Sequence, residues 1–136
     1  MQKKTESFPL LRDAYAIIAG IPESRFDLCL WRSGGNTANE CGTIACAGGW
    51  LAMHPKFHAL GLQAGEDGMP RTKGARNYGA LAEVLGIDRM DAQQLFCSAT
   101  FHSSLNPPNA DLLSDKERWL ARVRNFLAKQ PTPVAQ

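Results

Sequence analysis

Two thiols and two imidazoles stand close together in this sequence: Cys41, Cys46, His54 and His58, spaced C-x4-C-x7-H-x3-H. Paired cysteines followed by paired histidines are the side chains that hold structural zinc, and the outer spacings fit that use. The middle spacing does not. Zinc fingers leave roughly 12 or more residues between the pairs so that the chain can fold back. If one helix runs between the pairs, Cys46 and His54 are separated by about 12 Å of rise and cannot share an ion. A metal site over Cys41, Cys46, His54 and His58 is thus an alternative reading, and no cofactor is expected.

The second chemistry open to these residues is nucleophilic. A cysteine at a helix N-terminus faces exposed backbone N–H groups and the positive end of the helix dipole, which favour the thiolate. Cys41 or Cys46 would be the nucleophile, with His54, His58 or His102 as base. No carboxylate stands at a recognisable position to orient such a base. The plainer account of the segment is packing. Ile44, Ala45, Cys46, Gly48, Gly49 and Ala52 are small or apolar, so a helix built from them can approach its neighbours on several sides, with Trp50 filling the space between elements. That reading makes residues 41–50 a packing hub and leaves the protein without a catalytic group; we expect no enzyme here, with a thiol-dependent Cys/His enzyme as the alternative.

The remaining functional candidates are cations. Arg71, Lys73 and Arg76 fall in the glycine-rich stretch Gly61 to Asn77. Arg118, Arg122, Asn125 and Lys129 fall on one face of the last helix, opposite an apolar stripe of Trp119, Leu120, Val123, Phe126 and Leu127. These six cations are the expected binding residues, for a host protein or a protein complex. A net charge of +2 over 136 residues is too small to argue for nucleic acid, which leaves that partner a weak alternative. The glycines match no phosphate loop, and Asp88, Asp91 and Glu83 form no pair suited to acid–base work.

The elements that must carry these groups are mostly helical. Ser7 and Pro9 start a helix over 9–18, closed by Gly20 and Pro22. Phe26 to Trp31 reads as an extended loop. Thr43 is a good N-cap for a helix through Met53, which Pro55 ends while starting a short one over 56–60. Gly61 to Asn77 is a long loop or loose hairpin. Tyr78 to Leu85 is a helix closed by Gly86, and Asp88 caps the next, Arg89 to Cys97. Ser98 to Asp111 is irregular. Ser114 and Glu117 form a capping box for the clearest helix, Asp115 to Lys129. The fold class is mainly α: about five helices with long loops and at most a minor β element, one domain over 1–130, then a flexible tail over 131–136. No segment has the apolar length of a membrane span or a signal peptide, so a cytoplasmic protein with reduced cysteines is expected.

Phe26-Asp27, Trp31, the core Cys41-Gly-Thr-x-x-Cys46-x-x-Gly49-Trp50, Ala82-x-x-Leu85-Gly86-Ile87 and Leu95-Phe96 together resemble a set of small uncharacterised proteins of bacteriophages and prophages. The resemblance spans roughly residues 8 to 97. It implies a phage or prophage accessory protein working in the host cell cytoplasm, where proteins of this size commonly bind host machinery, defence complexes included. It transfers no ligand or catalytic residue.

Overall fold

The computed structural model describes residues 8–28, 44–65, 68–98 and 103–129. They form a mainly α structure: α1 (Pro9–Ala19), α2 (Ala47–Met53), α3 (Pro55–Ala59), a two-stranded sheet of β1 (Gln63–Ala64) and β2 (Pro70–Arg71), α4 (Tyr78–Leu85), α5 (Arg89–Phe96) and α6 (Asp115–Lys129). Single 3-10 turns lie at Glu23–Arg25 and Ala110–Leu112. Among the described residues no helix is long and apolar enough to cross a membrane.

The expected helices form where local signals agree. Pro9 opens α1, and Leu11, Ala14 and Ile18 bury one stripe at helical spacing. Ser7 lies outside the described residues, and the cap position belongs to Phe8, whose ring packs tilted against Phe126 of α6 at 5.2 Å between centroids. Gly86 ends α4 in the left-handed conformation, φ 74°, and receives the α4–α5 turn through its N–H to the Ala82 carbonyl. Asp88 occupies the N-cap position of α5 without the expected side-chain hydrogen bond. On α6 the Ser114 hydroxyl accepts from the Glu117 N–H at 3.2 Å, half of the capping box. The same hydroxyl donates to Glu23, and Asp115 accepts from the Leu28 N–H, so the start of α6 is tied to the segment that follows α1.

One helix start differs from expectation. α2 begins at Ala47, with Cys46 at the N-cap, and not at Thr43. Ahead of it the chain is extended, because Ala45 donates to the Arg25 carbonyl and accepts from the Asp27 N–H, pairing with Phe26 in a parallel bridge. Trp50 closes the same junction. Its indole N–H also donates to the Arg25 carbonyl, and the Arg25 guanidinium lies 5.0 Å from its ring centroid. Every residue of α2 before Met53 is buried. The small residues let this helix sit inside the core, between α1 on one side and the sheet and α3 on the other.

The rest of the core joins α4, α5 and α6. Leu81, Leu85, Leu95, Phe96, Trp119, Val123 and Phe126 are buried together, with Phe96 and Trp119 rings 5.7 Å apart. The glycine-rich stretch does make a loose hairpin: Gln63 pairs with Arg71 and Ala64 with Pro70, antiparallel.

Candidate functional site

Cys46 stands at the N-cap of α2, the place that could activate a thiol. It is 2% exposed, however, and burial pushes its pKa up to about 12 against the opposing pull of the Gly49 and Gly48 N–H groups. Desolvation of a charge outweighs the helix terminus here, so the group is a neutral apolar packer. Cys97 is also buried and free, and its pKa is raised by the same cause, with Arg122 opposing. Burial thus disfavours the reactive thiolate at both described cysteines. Cys41 and His102 lie outside the described residues.

The histidines are used locally. The His54 Nδ1 accepts from the Lys56 N–H at 3.1 Å, capping α3, while His58 sits exposed on that helix. Cys46 and His54 flank α2 at its two ends. Among the described residues no three His, Cys, Asp or Glu side chains come close enough to hold a metal ion.

The basic face expected on α6 is largely an interior feature. Arg122 is 0% exposed. Its guanidinium donates to the carbonyls of Leu95, Cys97 and Ser98 and to the Asn106 Oδ1, at 2.8 to 3.4 Å. Burial pulls its pKa below the usual guanidinium value, with the neighbouring thiol of Cys97 the largest opposing influence. Arg118 donates to the Ala110 and Leu113 carbonyls and pairs with Asp115 at 2.8 Å. Asn125 donates to the Leu105 carbonyl. These side chains hold carbonyls at the end of α5, at Cys97 and Ser98, at Leu105 and in the turn at 110–113 against α6. Of the expected α6 cations only Lys129, at the end of the helix, is exposed. Arg122 is therefore corrected from a binding residue to a core residue, and Arg118 from a surface contact to a clamp on the 110–113 turn.

Arg71, Lys73 and Arg76 all reach solvent. They sit on a short turn that is held from within. The Thr72 N–H donates to the Ala75 carbonyl at 2.8 Å, the Ala75 N–H returns to the Thr72 hydroxyl at 3.1 Å, and that hydroxyl donates to Glu83 on α4 at 2.9 Å. Arg71 and Arg76 face each other in an isolated antiparallel bridge. None of the three cations makes an ion pair with another described residue. Together with Thr72, Gly74 and Ala75 they line a depression of about 260 Å³. A Cβ on Gly65 would meet the Arg71 guanidinium at 2.8 Å, so glycine is what lets this side chain lie flat over the hairpin backbone.

Sequence reasoning named the three cations but missed Thr72 and Asn77. Thr72 carried a signal, a hydroxyl ahead of a glycine in a turn-rich stretch. Asn77 carried a weaker one, since asparagine tolerates positive φ more readily than most residues. It adopts φ 62° and ψ −137° between the turn and α4. Comparison of the chain with protein-family models, with curated proteins and with solved structures finds no match in any of the three.

Proposed function

We propose that the chain is a non-enzymatic accessory protein of a phage or prophage that acts by binding a host protein, with inhibition of a defence complex as the form of that action. What supports the reading is the placement of Arg71, Lys73 and Arg76, exposed on a turn fixed by Thr72 while the described thiols are packed inside. Charge held outward on a rigid element and without an ion pair among the described residues favours recognition of an acidic partner over catalysis. The resemblance to small phage and prophage proteins points the same way. An aromatic-lined or acidic catalytic cleft would argue otherwise, and the candidate residues of this chain do not assemble one among the described residues.

The test is purification of the tagged protein from the host bacterium, followed by separation of its complexes by size. A stoichiometric complex with a host protein is expected, and it should persist in Cys41→Ser and Cys46→Ala variants that still melt cooperatively. A function lost in either well-folded variant, or the absence of any stable complex, overturns the reading, the first in favour of thiol chemistry.

A further inference from the structure

Two unfavourable features meet at Asn77, next to two cations that make no ion pair with a described residue. Residues facing each other across an antiparallel bridge project to the same face, so Arg71 and Arg76 open on one face and line one depression, with the Arg71 guanidinium lying over Gly65. The Glu83 carboxylate is held by the Thr72 hydroxyl at 2.9 Å and pairs with neither arginine. Asn77, the residue after Arg76, has φ 62°, on the side of backbone space that favours glycine. Its side-chain oxygen is buried without a hydrogen-bond partner among the described residues. Each of these costs stability, and the turn that carries them is nonetheless braced, by Thr72 to Glu83 and by the Asn77 N–H to the Pro70 carbonyl. Strain maintained by surrounding structure is a mark of a binding element.

We infer that Arg71 and Arg76 form a two-arginine clamp for a carboxylate of an acidic protein segment, with Lys73 at its rim. The proposal rests on the binding reading above in taking a protein as the partner. A carboxylate in the depression that they line accepts paired N–H bonds from planar forks, a geometry that an ammonium does not offer. The depression of about 260 Å³ lies below the ~300 to 1,000 Å³ of pockets for drug-sized ligands, which suits a single side chain. Nucleic acid is the poorer fit. A nucleic-acid footprint is a strong, localised basic excess, and Arg118 and Arg122 are already spent inside the fold.

The experiment is a titration of the full chain with a fluorescent peptide of alternating glutamate and glycine, read by anisotropy, beside inorganic phosphate and a DNA duplex as competitors. The peptide should bind, and R71Q/R76Q should weaken it by roughly tenfold or more, the loss of one charge-assisted pair. R71K/R76K, which keeps both charges and removes the forks, should also bind more weakly than the native chain. K56Q, an exposed charge removed on α3, should change binding less than about twofold. Native binding by R71K/R76K, or equal loss in K56Q, overturns the clamp in favour of diffuse charge. Duplex competing better than peptide overturns the carboxylate assignment. A host complex that survives R71Q/R76Q overturns the clamp alone. Peptide binding without any host complex supports the clamp and overturns the wider reading.

Discussion

The turn around Lys73 and the polar row on α6 are similar in composition and opposite in fate. Both place arginines close together, at 71 and 76 and at 118 and 122. On α6 the guanidiniums point at the end of α5 and at a segment over residues 110–113 and are consumed by carbonyls there. On the turn they meet no such segment and stay in water. The difference lies in what passes over them. A backbone that lacks ladder partners must find donors, and a buried arginine, with five N–H groups in a fixed fork, satisfies several carbonyls at once. The α6 cations hold the fold, and those of the turn are free to face outward.

That contrast can be broken most decisively at Arg122. Arg122→Ala leaves three carbonyls and the Asn106 amide oxygen without their donor, and should cost about 3 to 5 kcal/mol in chemical denaturation. Arg122→Lys should recover little, because one ammonium cannot span the set. A loss below about 1 kcal/mol would mean that the segment over α6 does not depend on this donor.

The next effect sharpens the interior side. The folded-state pKa of Cys46 is raised from 9.0 to about 12, so the folded chain retains a proton that the unfolded chain releases above pH 9. The stabilising difference is complete below pH 9 and is lost as pH climbs toward 12, by up to about 1.4 kcal/mol per pH unit. Denaturation midpoints should therefore fall less steeply between pH 9 and 10.5 in Cys46→Ala than in the native chain. Equal slopes would show that the thiol reaches solvent.

The smallest effect belongs to the surface. Arg76→Gln removes an exposed cation that makes no ion pair with a described residue and should change stability by less than about 0.5 kcal/mol. A clear destabilisation would place Arg76 with Arg122, among the residues that build the fold.

Helices α1, α4 and α6 were legible because their signals are local: Pro9, Gly86 and the Ser114–Glu117 pair stand beside the apolar stripes they delimit. The start of α2 was not, since the pairing of Ala45 with Phe26 joins positions distant in sequence and overrides Thr43 as a cap. The same holds for the cations. Composition marks Arg71 and Arg122 alike, and only the placement of Cys97, Ser98 and Asn106 against α6 separates them. At Cys46 the helix terminus was readable from sequence while its burial, which decides the chemistry, was set by the whole core.

The bonds that fasten α6 to Glu23 and Leu28 bridge 91 and 87 positions of sequence. Tyr15 receives Arg124 across a still longer span, and Phe8 packs on Phe126. On the ribosome, α1 and the central helix emerge long before their partner and must keep their apolar faces unsatisfied until it arrives. Closure is thus a late event in synthesis, dominated by non-local pairing of the kind that slows folding and exposes nascent chains to aggregation.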